Sequence, residues 1–254
     1  MRRGGKNRWT KEDIIVAYAL YCITPLNKIN PGNNLIKQVS ELCNKSTSSF
    51  VMRMRNFQYL DPLANANGKK GLAHVAKTDR QIFEQFKNDW GNLGNEAEHI
   101  IKLNIFDGTP EKGAKKLSSL TDHNKVNRER HAFRKYVVAA YNCKCCISGM
   151  EISTLLRASH IKPFNKCKNT NERTDPRNGL LLNVLYDDAF DKGLITITKD
   201  YRIRVSDIVK EYSDNNFTKE SIISLEGNKI ILPRDCYPLP EYIEYHNDMI
   251  FKHL

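Results

Sequence analysis

Long apolar runs are what this 254-residue sequence has least of. The longest covers residues 14–26, and Thr24 and Pro25 interrupt it. A helix that spans a bilayer needs about 20 consecutive apolar residues, so no membrane span is expected. The opening MRRGGKNRW leads into no apolar leader core, which makes a cytoplasmic protein the expectation. A disulfide framework is also missing. The 7 cysteines are odd in number and scattered along the chain, the pattern of mostly free thiols in a reducing compartment. There is no internal repeat and no low-complexity tract. Acidic residues are scarce in one half only: residues 1–136 hold 24 Lys plus Arg against 13 Asp plus Glu, and residues 137–254 hold 16 against 16. The whole net charge of +11 therefore lies in the first half.

What is present is a globular composition, 40% hydrophobic, in a chain long enough for one large domain or two small ones. A basic half beside a neutral one suits a polyanion-binding module joined to something else, because Lys and Arg that meet phosphates release condensed counterions. A merely soluble basic surface gives the same counts.

NRWTKEDIIVAYALYC starts a helix: Thr10 is a good N-cap with Asp13 three residues on, and Trp9 and Ile14 are spaced as a hydrophobic staple. NKINPGNN breaks it. Leu35, Ile36, Val39, Leu42 and Cys43 then share one helical face, and the polar turn NKSTSS leads to a second helix beginning near Ser48. In that helix Phe50, Met54 and Phe57 form the inward stripe, which leaves Arg55 and Asn56 on the outer face and Arg53 at its edge. The pair outlines a helix-turn-helix whose second helix would offer Arg53, Arg55 and Asn56 to base edges in the major groove. Two packed helices of an ordinary bundle fit the same pattern. Residues 80–90 read as a further helix with Ile82, Phe83 and Phe86 inward. TPEKGAKKLSSLTDHNKVN, rich in Lys, Ser and turn residues, marks a domain boundary. The expected organisation is α+β: a basic, helical DNA-recognition domain over residues 1–110 and a second domain over 122–254.

The second domain opens on a helix, RERHAFRKYVVAAYNCKCC, with Phe133, Val137 and Tyr141 on one face. Short β-like runs follow at 155–161, 180–182 and 194–198, with a short helix at 184–191. If the two runs flanking the long loop pair as a hairpin and the helix packs across it, His160, Asn178 and the first turns of the helix converge on one cleft. Asp187 and Asp191 are four apart and share a face, while Asp188 points elsewhere. Two carboxylates with an amide oxygen nearby make a hard site that suits Mg²⁺ or Mn²⁺ rather than zinc. A neutral imidazole, with a reference pKa of about 6.5, is matched to taking a proton from water at neutral pH. Together they describe a site for phosphodiester hydrolysis. Cys143, Cys145, Cys146 and Cys167 raise a structural zinc as an alternative use of thiols; adjacent Cys145 and Cys146 cannot both ligate easily and no second C-x-x-C occurs, so buried free thiols are the expectation.

CCISG, LLRASHIKPF and NERTDPRNGLLLNVLYDDAFDKGLITI, in order over residues 145–197, resemble the HNH endonucleases of bacterial restriction and defence systems, which fold as a ββα-metal motif. The helices containing RNFQYLDP and the tail ILPRDCYPLPEYIEYH are similar to the flanks of a single-chain group in that family. The resemblance implies His160 as general base, Asn178 as a metal ligand or as the residue fixing the loop that orients the histidine, and Asp187 and Asp191 as metal ligands. Lys162 and Arg173 become candidates for gripping the substrate backbone. His246 resembles a position in the family's tail but, on an amphipathic terminal helix, reads as structural. Two departures stand out: Ser159 where many relatives have Asp or His, and Tyr186-Asp187 where many have His-Asp. The function implied is a metal-dependent endonuclease acting on double-stranded DNA, of the site-specific restriction type. Two strand cuts point to a homodimer. The rivals are a DNA-binding regulator with an inactive nuclease domain, and a nickase, homing-type or RNA-directed nuclease.

Overall fold

The computed structural model describes residues 8–61, 75–106, 109–110, 122–234 and 236–252. Helix α1 (Lys11–Ile23) is the centre of the first half, and every residue from Asp13 to Ile23 is buried. A helix apolar all round must be enclosed; here α3 (Thr47–Leu60), α4 (Lys77–Phe86), α5 (Trp90–Ile101) and α6 (Asp122–Ala140) surround it. The long apolar run of the sequence is thus a core helix. Its start is the expected capping box, with Thr10 and Asp13 each accepting the other's backbone N–H at 3.1 and 3.0 Å.

Helix α2 (Asn34–Leu42) packs on α3 across a short turn in which Asn44 takes a left-handed φ of 51°. Phe50, Met54 and Phe57 are fully buried, as their spacing requires. The helix expected over 80–90 differs: α4 begins at Lys77 and ends at Phe86, and Asp89 caps a new helix from Trp90. Two glycines disguise that second helix in the sequence, because Gly lowers helix propensity. Gly94 is required by packing, since a Cβ there would lie 2.8 Å from the Phe106 ring and 2.9 Å from the Tyr136 hydroxyl. A small strand pair, β1 (Leu103–Asn104) with β2 (Thr109–Pro110), follows α5.

Of the expected boundary, residues 111–121 lie outside the described residues. Helix α6 resumes the chain and packs on α1 with one side and on the strands of the second half with another. Buried apolar residues from both halves form one connected cluster. The C-terminal segment ties back too: buried Arg234 donates to the carbonyls of Tyr21 and Thr24 at 2.8 and 2.9 Å, a cation at the negative end of α1.

The second half adds two further strand pairs, and with them the protein is α+β. Strands β3 (Leu156–His160) and β4 (Gly179–Asn183) form an antiparallel hairpin in which Leu156 faces Asn183 and His160 faces Gly179. Gly179 lets α6 approach, because a Cβ there would come within 2.5 Å of Val137 and 2.8 Å of Phe133. The loop between the strands contains helix α7 (Thr170–Thr174). Helix α8 (Val184–Asp191) packs across both strands, capped by Asn183. A second hairpin, β5 (Ile195–Ile197) with β6 (Ile203–Val205), leads through the short helices α9 (Asp207–Lys210) and α10 (Asn216–Ser221) to α11 (Pro240–Met249), which lies against β5.

Candidate active site

Strand β3 ends on His160 at the edge of a cleft of about 550 Å³. The cleft is shared by β3, α6, α8 and α11: Ser159 and His160, Arg130 and Arg134, Asp187 and Asp191, and His246 all line it. The hairpin and crossing helix therefore do bring the histidine and both carboxylates together.

The imidazole of His160 is clamped. It stacks on Phe133 with centroids 3.5 Å apart and meets Phe164 edge-on at 5.7 Å. Its Nε2 lies 2.9 Å from the carbonyl oxygen of Arg173. A carbonyl only accepts, so Nε2 carries the proton and Nδ1 keeps its lone pair. Nδ1 has no hydrogen-bond partner among the described residues. Burial lowers the ring's pKa to about 4, against the opposing bond to the Arg173 carbonyl, so the ring is neutral at physiological pH.

Asn178 is fully buried and acts on the loop. Its Oδ1 accepts the Lys162 N–H at 2.8 Å, and its Nδ2 donates to the Lys162 carbonyl at 3.1 Å and the Glu172 carbonyl at 3.4 Å. It closes the loop one residue before the carbonyl that holds His160. Of the two roles the sequence leaves open, this geometry fits the loop-fixing one; the carboxylate oxygens that line the cleft are those of Asp187 and Asp191. Asp187 is half-buried and Asp191 stands at the rim. Burial raises both carboxyl pKa values, and the charge of Asp187 adds to the rise at Asp191. Ser159, far from being idle, opposes both shifts by hydrogen bonding and lies 3.3 Å from Asp191 Oδ1. Asp188, by contrast, is exposed and pairs with Lys192 at 2.8 Å.

The two carboxylates meet a simple test for a divalent cation. They are anionic oxygens side by side, held partly out of water, with no cationic group within salt-bridge distance among the described residues. Mg²⁺ is commonly held by one or two carboxylates, substrate phosphate and water, so a pair suffices. No group of three or more His, Cys, Asp or Glu capable of holding a metal occurs among the described residues. The cysteines have separate positions: Cys145 accepts from the Ser148 and Asn183 amides, whereas Cys167 bonds the Lys162 and Pro163 carbonyls and the Asn178 amide.

The expected DNA-contacting residues are engaged within the protein. Lys162 pairs with Glu172 at 2.8 Å, and Arg173 pairs with buried Glu129 at 3.2 Å. On α3, Arg53 and Asn56 both bond the fully buried Asp79, and Arg55 donates to Gln58 and to the Ile29 carbonyl. All three thus hold α3 to its neighbours. Tyr186 is buried beside α10, its hydroxyl donating to the Ser221 carbonyl at 3.1 Å, and it does not line the cleft. The departure at that position is outside the site. The cleft arginines Arg130, Arg134 and Arg157 were not anticipated, although the i, i+4 spacing of Arg130 and Arg134 around Phe133 is visible in RERHAFRK.

Residues 145–198 match the sequence model described as HNH endonuclease. The matched segment contains β3, the loop, β4, α8 and β5, and with them His160, Asn178, Asp187 and Asp191. A comparison with curated proteins finds no match. No helix among the described residues is long and apolar enough to cross a membrane.

Proposed function

We propose, for a chain whose residues 145–198 match the HNH endonuclease model, that it is a metal-dependent DNA endonuclease in which His160 is the general base. The observation that carries the reading is the tautomer of His160: Nε2 bonded to the Arg173 carbonyl leaves Nδ1 unprotonated in a cleft that also holds two carboxylates. A positioned base contributes roughly 10²–10⁴-fold to a hydrolytic step when its pKa lies near the working pH; burial holds His160 lower, at about 4.

Each residue then has a task. Nδ1 of His160 removes a proton from the attacking water. Phe133 and the Arg173 carbonyl fix the ring's plane and tautomer. Asn178 fixes the loop that carries that carbonyl. Asp187 and Asp191 would hold Mg²⁺ or Mn²⁺, and Ser159 steadies them. The cation, when bound, supplies charge neutralisation at the scissile phosphate and at the leaving oxygen. The +11 charge of residues 1–136 supports recognition of double-stranded DNA by the helical region over 1–110, with cleavage assigned to 122–254. Site-specific restriction of foreign DNA is the biological role that fits, and cutting both strands calls for two sites, as in a homodimer.

The test is incubation with supercoiled plasmid and phage DNA in Mg²⁺, Mn²⁺ and EDTA, beside a His160→Ala variant. Discrete fragments that need the metal and vanish in the variant are expected. Intact DNA under every condition, with retardation in a gel, would overturn the reading in favour of a DNA-binding regulator.

A further inference from the structure

Three arginines of the cleft differ from Lys162 and Arg173. Arg130 and Arg134 project from α6 one turn apart, and Arg157 projects from β3. None has a carboxylate within salt-bridge distance among the described residues, whereas Lys162 and Arg173 do. Each is nonetheless held in place. Arg130 lies over the Phe164 ring at 4.9 Å. Arg134 donates one N–H to the Leu156 carbonyl at 3.1 Å, and Arg157 uses one nitrogen on the Thr154 and Leu156 carbonyls. A guanidinium has five N–H donors in a planar fork. After these contacts most N–H donors of each fork have no partner among the described residues, and a group with several acceptor oxygens is what completes them.

We propose that Arg130, Arg134 and Arg157 form a backbone-phosphate cradle that seats the DNA strand across His160 and the Asp187–Asp191 pair. The proposal rests on the nuclease reading of the cleft and adds the residues that grip the strand. Charge balance supports it: the cleft holds these three cations against two carboxylates and two histidines that burial keeps neutral. Arg130 sits close enough to His160 to oppose its protonation, and Arg157 close enough to Asp187 to favour its charge. The arginines thus flank both the base and the carboxylate pair. Phosphates bound on either side would bring the scissile bond between them, with the Arg130 guanidinium resting on the Phe164 ring.

The experiment measures duplex DNA affinity in EDTA across a salt series, so that cleavage does not intrude, for wild type and for Arg130→Gln, Arg134→Gln and Arg157→Gln. Arg134→Lys is added because Arg134 is half-buried and its neutral variant can lose folding. Lys219→Gln, on exposed α10, is the control. Each phosphate contact contributes a slope of about −0.9 in log affinity against log salt. Each Gln variant is expected to bind roughly 3- to 30-fold more weakly at low salt and to lose about one unit of slope. Arg134→Lys should keep the slope and lose part of the affinity, and Lys219→Gln should match wild type. Wild-type slope and affinity in all the Gln variants would overturn the cradle. So would absence of DNA binding by wild type. Plasmid cleavage in Mg²⁺, run on the same preparations, separately decides the nuclease reading: a wild type that cuts while the variants bind normally removes the cradle alone.

Discussion

Two histidines share one cleft, and their surroundings are nearly the same. His160 stacks on Phe133 at 3.5 Å, and His246 stacks on Phe190 at 3.7 Å. Burial lowers both to a pKa of about 4, and each places Nε2 against a backbone carbonyl, Arg173 for the first and Phe190 for the second. The difference is the other nitrogen. Nδ1 of His246 is 2.8 Å from the Thr196 hydroxyl, while Nδ1 of His160 has no partner among the described residues. One ring is completely used in joining α11 to α8 and β5; the other has a lone pair left for chemistry. Burial and a shifted pKa are common to both rings. The hydrogen bonds are where they differ, and the proposed role of His160 as a base rests on that difference.

The largest effect expected from this contrast is a split between activity and stability. His160→Ala should lower plasmid cleavage by at least about 100-fold. His246→Ala should instead remove a buried stack and leave Thr196 and the Phe190 carbonyl unpaired, costing about 3 kcal/mol in urea unfolding. If the His246 variant folds and yet cuts as poorly as the His160 variant, the assignment of a single base is wrong.

The second test uses what the two rings share. A histidine whose folded pKa lies below its unfolded value takes up protons more readily when unfolded, so stability is complete above about pH 6.5 and falls as the pH drops toward 4. Each ring should contribute on the order of 3 kcal/mol of that loss. Urea midpoints at about pH 7 and about pH 4.5 would measure it. Replacing either histidine by Phe, which keeps a stacked ring, should remove that ring's share of the pH dependence. An unchanged slope in His160→Phe would mean that this ring is not buried as described.

The smallest effect concerns position 186. Tyr186→Phe removes one hydroxyl bond to the Ser221 carbonyl, so a loss of about 1 kcal/mol and unchanged cleavage are expected. A large fall in cleavage rate without a matching loss of stability would bring Tyr186 into the cleft after all.

A similar contrast runs through the cations. Arg53, Arg55 and Asn56 look, on a helical wheel, like an open face for reading DNA, yet each bonds a partner inside the helical region. Arg130, Arg134 and Arg157 attract no notice in the sequence and are the ones facing the cleft. The exposed residues of α3 are Ser48 and Met52, neither of them basic, which makes the basic face of that helix smaller than its sequence suggests.

The sequence by itself determined the ββα segment. Strand period, the four-residue spacing of Asp187 and Asp191 and the ending of a strand on His160 are local properties, visible in any window that contains them. It also determined the capped start of α1 and the Phe50, Met54 and Phe57 stripe. It hid α5, because Gly91 and Gly94 lower helix propensity for the sake of close packing. Only the tertiary structure decided which charges are spent and which remain available. Asp79 lies 26 residues from Arg53, and Glu129 lies 44 residues from Arg173. An ion pair is made by whatever the fold brings within a few ångströms, and no local pattern of residues records that distance.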